Sequence, residues 1–409
     1  MRDRSSVKLL AFYLTQFHPI PENDLWWGKG FTEWTNASKA IPLFPGHYQP
    51  HLPTDLGFYD LRLRETRRDQ ILLAKQYGID GFCYYYYWFG GKRLLEKPLD
   101  DMLADPESDM PFCLCWANEN WTRRWDGAEQ EILIEQSYGP DADRRFIEDL
   151  IKYLRDPRYI RIDGDPLILV YNPQHLPDCQ ETLRIWREYC ASQGMPRIHT
   201  ACALTHSNWD HKKFGFDSAV EFPPHNMNLP NMAQKMGFFA PFHGYCADYA
   251  DVAEMYLDRR YSSDSSGFRG VFPSWDNTAR RGDRATLVLN GSPENYEFWL
   301  SEAICKTAQE FPGQERFVFI NAWNEWAEGC HLEPDRKFGR RYLEATIRAK
   351  EGSSLTGWTH KGPPPQQPNE NTSILHKPPQ KSWISRRWRN VKRTLRPARH
   401  AKRGATLRP

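Results

Sequence analysis

The sequence predicts a single (β/α)8 TIM barrel with long loops after its strands, and three observations support this prediction. Eight short apolar runs, rich in β-branched and aromatic residues, alternate with longer segments of helical periodicity. Gly78-Ile-Asp-Gly81 directly follows a helical segment, as at a junction from helix to strand. No glycine-rich phosphate-binding turn follows the first run. The alternative is an open, doubly wound sheet.

The predicted strands are short apolar runs bounded by turn-forming residues, and they cover residues 8–14, 78–85, 111–116, 166–171, 197–203, 218–222, 270–274 and 316–322. The predicted helices have apolar residues at helical spacing and cover residues 61–77, 143–155, 180–193, 294–311 and 337–350. Two connections, after the first strand and between the sixth and seventh strands, are each about 45 residues long, a length that usually indicates function. Loops after strands lie on the catalytic face of a barrel, so both should frame a cleft.

Charge is distributed unevenly along the chain. Lys+Arg total 54 against 52 Asp+Glu, but from Gly352 to Pro409 there are 13 basic residues and one acid, so the preceding part is net acidic. Residues 362–369 are rich in proline and predict an extended spacer without a packed core. We therefore predict a catalytic barrel over residues 1–350, a Pro-rich linker over 351–380 and a disordered basic tail over 381–409.

The tail contains a basic amphipathic segment. Residues 381–396 place Trp383 or Ile384, Trp388, Val391 and Leu395 at helical spacing among Lys and Arg. Such a segment is typical of a contact with an anionic membrane surface or with nucleic acid, and its tryptophans favour the membrane. We expect no nucleic-acid partner. The alternative is a solvated extension.

Cysteine usage and apolar runs suggest the compartment. The nine cysteines are odd in number and include no Cys-x-x-Cys pair, so they predict reduced, buried thiols without a zinc site or disulfide framework. No apolar run approaches the roughly 18–20 residues that span a bilayer, and the N-terminal segment does not resemble a secretory signal. We expect a soluble, cytoplasmic protein whose tail contacts the inner face of the membrane.

The strongest candidate for chemistry is residues 321–329, Asn-Ala-Trp-Asn-Glu-Trp-Ala-Glu-Gly, which follow the eighth predicted strand. Glu325 and Glu328 are three residues apart, and paired carboxylates on a concave face are what glycosyl transfer requires. Trp323 and Trp326 offer flat faces on which a sugar can stack. The alternative is an acidic loop whose tryptophans fill the mouth of the barrel.

Other polar and aromatic residues near predicted strand ends are candidate sugar ligands. They are Tyr13, Gln16 and His18 near the first strand; Lys29, Glu33 and Trp34 in the first long loop; Tyr86, Tyr87 and Trp88 after the second strand; Trp116, Asn118, Glu119 and Trp121 after the third; Glu221 and His225 after the sixth; and Asn324 beside the paired carboxylates. The alternatives are core packing for the aromatic residues and, for His18, bracing of its own loop.

Glu119 also offers a second catalytic hypothesis. It stands in Trp116-Ala-Asn-Glu-Asn-Trp121, and an Asn-Glu pair at a strand end is a common acid/base arrangement in barrel glycosidases. Glu119 with Glu325 is therefore a rival catalytic pair. We prefer Glu119 as a ligand for sugar hydroxyls, and a charge satisfied by Arg123 or Arg124 is the structural alternative.

A metal or cofactor is not expected. Asp163-Gly-Asp165 has the Asp-x-Asp pattern with which nucleotide-sugar glycosyltransferases hold a divalent ion. It precedes the fourth strand, however, and so should lie opposite the catalytic face, where Asp-Gly is ordinary turn chemistry.

Five segments together resemble a known family, and they are Phe12-Tyr-Leu-Thr-Gln-Phe-His18, Trp27-Gly-Lys-Gly-Phe-Thr-Glu-Trp34, Tyr84-Tyr-Tyr-Tyr-Trp88, Trp116-Ala-Asn-Glu-Asn-Trp121 and Trp323-Asn-Glu-Trp-Ala-Glu-Gly329. They look like the WbsX-type proteins of surface-polysaccharide loci, which are similar to glycoside hydrolase family 99. The resemblance covers most of residues 7–350 and does not extend to the tail. It implies a (β/α)8 fold and the chemistry of retaining endo-acting mannosidases and mannanases.

The resemblance also implies roles for the two carboxylates. Glu325 matches the family residue that draws the proton from the sugar 2-hydroxyl, so that this oxygen attacks the anomeric carbon and forms a 1,2-anhydro intermediate. Glu328 matches the general acid, which then acts as general base. Ala327 stands where many family 99 hydrolases carry a larger residue, so the resemblance does not identify the sugar.

Three functions fit these observations. The first is an enzyme that breaks or forms a glycosidic bond with retention, on an oligosaccharide or lipid-linked glycan, during synthesis of a surface polysaccharide of the O-antigen or capsule type. The second is a nucleotide-sugar glycosyltransferase, which needs a nucleotide pocket that the sequence does not reveal. The third is a non-catalytic carbohydrate-binding protein, which the retention of both Glu325 and Glu328 disfavours.

Overall fold

The computed structural model describes residues 6–123, 128–207, 210–259, 267–310, 316–352 and 357–358. The chain divides into two units, Met1–Gln366 and Gln367–Pro409, and all of the second unit lies outside the described residues. The proposed amphipathic segment, residues 381–396, and Arg124 also lie outside them.

Eight parallel strands form the centre of the fold. They are β1 (Val7–Tyr13), β2 (Gly81–Phe89), β3 (Phe112–Trp116), β4 (Asp165–Val170), β5 (His199–Leu204), β6 (Ser218–Glu221), β7 (Gly267–Val271) and β8 (Arg316–Ile320). Each strand pairs in parallel with the next in chain order. Strand β8 pairs with β1, opposing Ile320 to Ala11, so the sheet closes on itself. The TIM barrel is therefore confirmed and the open sheet is excluded.

The α-helices among the described residues are α1 (Pro21–Trp27), α2 (Glu33–Lys39), α3 (Arg64–Gln76), α4 (Lys97–Ala104), α5 (Pro140–Leu154), α6 (Cys179–Ser192), α7 (Tyr249–Leu257), α8 (Thr278–Arg281), α9 (Pro293–Glu310) and α10 (Arg341–Glu351). Helix α5 shows why such segments form: Pro140 occupies its first turn, and Phe146, Leu150 and Leu154 recur every four residues on its buried face. The longer helices thus pack an apolar stripe against the barrel.

All eight strands and five helices predicted from the sequence are present, with shifted ends. Helices α4 and α7 were not predicted, because each is short and lies in a connection that sequence patterns do not distinguish from a loop. Between β5 and β6 the described residues contain a single 3-10 turn, Lys212–Phe214, in place of an α-helix. The strand and helix repeat is therefore less regular than eight equal units.

The loops after β6 and β7 build a small sheet of their own. Strand Tyr245–Asp248 pairs in parallel with Thr286–Leu289, which pairs antiparallel with Trp275–Asp276. Helix α8 lies between the last two of these segments in the chain. This insertion after β7 was not predicted, because its strands have two and four residues. It carries α8 to the carboxyl end of the barrel.

Candidate functional site

A cavity of about 370 Å³ opens at the carboxyl ends of the barrel strands. Its volume falls in the range of roughly 300–1,000 Å³ that is usual for small-molecule sites. The end of each strand, or the loop that follows it, contributes to the lining, in chain order through Leu14, Tyr87, Glu119, Tyr171, His206, His225, Trp275 and Glu325. This is the face on which TIM-barrel enzymes place their active sites.

A short β-ribbon after β8 carries both paired carboxylates. Asn324–Glu325 pairs antiparallel with Cys330–His331, and the 3-10 turn Trp326–Glu328 joins the two segments. Gly329 closes the turn in the left-handed conformation, with φ of 56°. A β-carbon at Gly329 would lie only 3.0 Å from the Asp276 carbonyl oxygen, so the close approach of the insertion also favours glycine. We call residues 324–331 the carboxylate ribbon.

Buried polar contacts anchor the carboxylate ribbon to the barrel. The Asn324 side-chain oxygen accepts from the Leu14 N–H at 2.8 Å, and its amide nitrogen donates to the Leu14 carbonyl at 3.0 Å. The buried Glu333 carboxylate accepts from Trp326 Nε1 at 2.7 Å and from the Tyr59 hydroxyl at 2.7 Å. Because these groups are buried, their loss would leave unsatisfied polar atoms as well as a loose ribbon.

One arginine of the insertion joins three carboxylates. Arg280 Nη2 donates to Glu325 Oε2 at 2.8 Å and to Glu33 Oε1 at 3.0 Å, and its Nη1 lies 2.7 Å from Glu328 Oε1. Both Glu325 and Glu328 line the cavity, and Glu33 lies fully buried behind Arg280. A single cation therefore holds both candidate catalytic carboxylates at one wall of the cavity.

The cluster retains protons in the physiological range. Burial, together with the neighbouring charges of Glu328 and Glu33, raises the pKa of Glu325 to about 8, although Arg280 opposes the shift. Burial also raises the pKa of Glu328, again against the effect of Arg280. Burial opposes the charge of Arg280, but the three carboxylates outweigh it and raise its pKa. At neutral pH the cluster thus contains the Arg280 cation and a titratable proton.

A second polar group lines the cavity on the side of β3 to β6. His206 Nε2 lies 3.4 Å from Glu119 Oε1, and the Tyr171 hydroxyl lies 3.0 Å from His225 Nε2. The His206 and His225 rings are 5.2 Å apart. These donors and acceptors, beside aromatic rings, are suited to sugar hydroxyls and sugar C–H faces.

The structure brings several predicted site residues to the cavity. Those that line it are Gln16, Tyr87, Glu119, Trp121, His225, Glu325 and Glu328. Glu33 reaches the same cluster through Arg280. The amide nitrogen of Gln16 is buried without a hydrogen-bond partner, which leaves a donor available at the cavity wall.

Strand alternation directs three predicted residues away from the cavity. Successive side chains of a strand face opposite sides, so Tyr85 and Tyr87 point into the cavity and Tyr86 and Trp88 point outward. The Tyr86 ring packs beside Phe146 of α5, and Trp88 Nε1 donates to Asp149 at 2.6 Å. Trp116 likewise stacks on Phe146 at 4.2 Å. These three rings contact the helix layer and do not line the cavity.

Four further aromatic candidates are buried in the interior of the protein. The Tyr13 hydroxyl donates to Gln70 at 2.6 Å, and Trp34 Nε1 donates to the Tyr59 carbonyl at 2.9 Å. Trp326 stacks on His331 at 3.7 Å, and Trp323 packs beside Phe82 at 5.3 Å. All four are buried, and none of them lines the cavity.

The remaining candidates bind the chain itself or lie on the surface. The side chain of Asn118 exchanges hydrogen bonds with the backbone of Asn172. The side chain of Asn324 hydrogen-bonds to the backbone of Leu14, and the Glu221 carboxylate accepts from the Gly270 N–H at 3.0 Å. His18 Nδ1 contacts the Thr15 carbonyl, and burial lowers the pKa of His18 to about 4. Lys29 is exposed and does not line the cavity. Asp163 and Gly164 form the turn before β4, at the opposite end of that strand.

Four residues that were not predicted as site residues also line the cavity: Tyr85, Tyr171, His206 and Arg280. The alternation of β2 could have identified Tyr85, because it shares a strand face with Tyr87. Tyr171 ends the predicted fourth strand and His206 follows the predicted fifth strand, so strand ends were a usable signal for both. Arg280 gave no such signal, because its insertion was not recognised.

Comparison with known proteins places the chain among carbohydrate-active families. Residues 9–346 match the family described as Glycosyltransferase WbsX. The proteins named WxcX in two strains of Xanthomonas campestris pv. campestris are 46% identical over 342 residues, which is 83% of this chain and 49% of each relative. The chain thus spans about half the length of these relatives.

Solved structures share the fold at low sequence identity. A GH99 endo-α-mannosidase from Bacteroides thetaiotaomicron is 16% identical, with a TM-score of 0.51 over 84% of this chain and 95% of that one. A protein described as glycoside hydrolase-like is 13% identical, with a TM-score of 0.54 over 85% of this chain and 94% of that one. Within the described residues, no helix has the length and apolar character to cross a membrane.

Proposed function

Because this chain belongs to the WbsX glycosyltransferase family, a family of carbohydrate-active enzymes, we propose that it breaks or forms a glycosidic bond with retention, using Glu325 and Glu328. The observation that carries this proposal is the Arg280 contact with both carboxylates at the cavity wall, at 2.8 and 2.7 Å. Two carboxyl groups beside one cavity can supply a base and an acid to one glycosidic bond.

The two carboxyl groups are suited to different tasks. Glu328 exposes 20% of its side chain and Glu325 exposes 6%, so Glu328 is the more accessible to a leaving-group oxygen. The proton that the cluster retains belongs to the coupled pair, and a substrate can draw it to Glu328. Glu325, held by Arg280, then acts as the base toward the sugar 2-hydroxyl, and that oxygen attacks the anomeric carbon with departure of the aglycone.

Glu119 serves better as a binding group than as the second catalytic carboxylate. It lies beside His206, at 3.4 Å, on the side of the cavity away from the Arg280 cluster. It can accept a hydrogen bond from a sugar hydroxyl there while His206 and His225 offer further contacts. Tyr87 and Trp121, whose rings are 5.2 Å apart, provide an apolar wall for the sugar.

The family's description favours transfer to an acceptor over hydrolysis. We propose that the substrate is an oligosaccharide or lipid-linked glycan in the synthesis of a cell-surface polysaccharide. The basic segment at residues 381–396 would hold the enzyme at an anionic membrane surface, where a lipid-linked glycan is found.

Cationic sugar mimics test the site without knowledge of the substrate. An iminosugar carries positive charge where the oxocarbenium-like transition state does, so a pair of carboxylates should bind it. We expect one configuration from a panel of gluco, manno and galacto iminosugars to raise the melting temperature of the wild-type protein. Glu325→Gln and Glu328→Gln should abolish this shift, while His199→Gln, at the amino end of strand β5 and outside the cavity lining, should retain it.

Two outcomes of this experiment would count against the proposal. One is an absence of any shift across the whole panel. The other is an equal shift for the wild type and both glutamine variants, which would mean that the sugar mimics bind elsewhere.

A further inference from the structure

We propose that His51, His331 and Asp335 form a binding site for one divalent transition-metal ion, which fastens the carboxylate ribbon to the first long loop. Each of the three residues offers one ligand atom, and these atoms all lie within 4.8 Å of one another. All three side chains are buried, with relative exposures of 6%, 2% and 2%. None of them lines the cavity, so this site is separate from the Glu325 and Glu328 cluster.

The two imidazoles meet through their ring nitrogens. His51 Nδ1 lies 2.9 Å from His331 Nε2. Donor atoms bound to one tetrahedral Zn²⁺, each about 2.0–2.1 Å from the metal, are about 3.3 Å apart. The imidazole nitrogens therefore need only a small separation to admit an ion, and the Asp335 carboxylate needs a modest approach.

The surroundings of His331 orient it as a ligand. Its Nδ1 lies 2.9 Å from the Glu333 carbonyl oxygen, which can only accept a hydrogen bond, so Nδ1 carries the proton and Nε2 presents a lone pair. Metal-bound histidines usually donate their second ring N–H to such an acceptor. The ring also stacks on Trp326 at 3.7 Å, which fixes its plane. This geometry holds His331 in the tautomer that binds metal.

Without metal, the same tautomer lets His51 Nδ1–H donate to His331 Nε2. Metal binding requires the His51 proton to move from Nδ1 to Nε2, so that both facing nitrogens offer lone pairs. This change conserves the proton within His51. Two imidazoles and one carboxylate suit Zn²⁺, Co²⁺, Ni²⁺ or Fe²⁺, with water completing the coordination.

The position of the site suggests its effect. His331 lies opposite Asn324 in the carboxylate ribbon, one residue from the Cys330 that faces Glu325. His51 belongs to the loop between α2 and α3. Asp335 forms an isolated antiparallel β-bridge with Pro53 of that loop. An ion here would join the two segments and restrict the motion of the ribbon that presents Glu325 and Glu328.

Metal loading of the full chain tests this proposal without any assay of activity. The protein is treated with chelator, dialysed and titrated with Zn²⁺, and bound metal is measured by mass spectrometry together with the melting temperature. We expect one Zn²⁺ per chain and a rise of about 5 °C at a hundredfold excess over Kd. Asp335→Asn should lose both effects while keeping an oxygen that accepts from the Phe338 N–H.

A matched control and a spectrum make the test decisive. His199→Gln removes a histidine whose Nε2 lies 2.9 Å from the Ser218 hydroxyl, remote from this site, and should bind Zn²⁺ as the wild type does. If Asp335→Asn does not fold, a Co²⁺ titration of the wild type still tests the proposal, because Co²⁺ bound by histidine absorbs visible light. Absence of bound metal and of that absorption in the wild type would mean that His51 and His331 form only a hydrogen bond. Equal binding by folded Asp335→Asn would also overturn the proposal.

Discussion

Arg280 Nη1 lies 2.7 Å from Glu328 Oε1, so a permanent cation contacts the carboxyl group to which we assign proton donation. An arginine alone would lower the pKa of such an acid and weaken it as a donor. Here burial, with the charge of Glu33, raises the pKa of Glu328 against the effect of Arg280. The arginine therefore holds the pair in place, while burial and the charge of Glu33 help Glu328 to retain its proton.

Activity should fall on the alkaline side near pH 8. The pKa of Glu325 is raised to about 8, and above that value the coupled pair loses the proton that departure of the leaving group needs. Because Glu33 contributes to the raised pKa, Glu33→Gln should move the alkaline limb of kcat/KM to lower pH. Glu119→Gln is the control and should leave the limb in place. A limb that stays fixed or moves upward in Glu33→Gln would contradict this account of the cluster.

Arg280→Gln should destabilise the fold in a pH-dependent way. Removing the cation leaves the carboxylates of Glu33, Glu325 and Glu328 without their counter-charge, which costs about 3–5 kcal/mol of unfolding free energy. Arg280 lowers the pKa values of Glu325 and Glu328, so they should rise further in the variant. Groups with raised native pKa values bind more protons folded than unfolded, so stability falls as pH increases from the unfolded value, about 4.5, through the native one.

Urea unfolding at pH 5 and pH 8 tests the predicted direction of this pH dependence. The difference in unfolding free energy between the wild type and Arg280→Gln should be larger at pH 8 than at pH 5. A difference that is equal at both values, or larger at pH 5, would mean that Arg280 does not compensate the carboxylates.

The sequence predicted the barrel because its strands are buried on both faces and read as short apolar runs, as all five residues of β3 show. It failed where elements are short. Helix α8 has four residues, and the strand Trp275–Asp276 has two. Such segments owe their conformation to contacts with distant parts of the chain, which local periodicity does not report.

The site was predictable only in part for the same reason, because local patterns do not report contacts between distant parts of the chain. Glu325 and Glu328 could be proposed because two carboxylates stand close in sequence at a strand end. Arg280, which lies 45 residues from Glu325 in the chain, joins them only through the fold. Asn324 and Trp326 looked like sugar ligands because amide and indole groups suit both sugars and buried hydrogen bonds, and sequence cannot show which partner they meet.

Because side chains alternate between the two faces of β2, substitutions of neighbouring residues in this strand should have different effects. Trp88 is fully buried and donates to Asp149, so Trp88→Ala should cost about 3–5 kcal/mol of stability. Tyr87 lines the cavity, so Tyr87→Ala should cost less stability but weaken iminosugar binding about tenfold, or 1.4 kcal/mol. Urea unfolding and ligand-induced thermal shifts on both variants measure the two effects. The reverse pattern would mean that the assigned strand faces are wrong.

Deletion of residues 381–409 should weaken binding to anionic vesicles and leave barrel stability nearly unchanged. Each Lys or Arg near such a surface contributes about 1 kcal/mol, and salt should reduce the binding because the Debye length is about 10 Å at 0.1 M. Sedimentation with vesicles that contain or lack anionic lipid measures it. Equal sedimentation of full-length and truncated protein would show that the tail does not hold the enzyme at a membrane.

The most direct test of the central claim is mass spectrometry of the surface glycan from cells that lack this gene and carry either the wild-type protein, Glu328→Gln or Glu119→Gln, at matched protein levels. Glutamine is nearly isosteric with glutamate but cannot donate the proton, and a general acid contributes about 10²–10⁴-fold to rate. We expect the wild type to restore the glycan, Glu328→Gln to give the glycan of the deletion, and Glu119→Gln to give the wild-type product in reduced amount. Restoration of the wild-type glycan by Glu328→Gln, with loss in Glu119→Gln, would contradict the assignment and move the chemistry to Glu119.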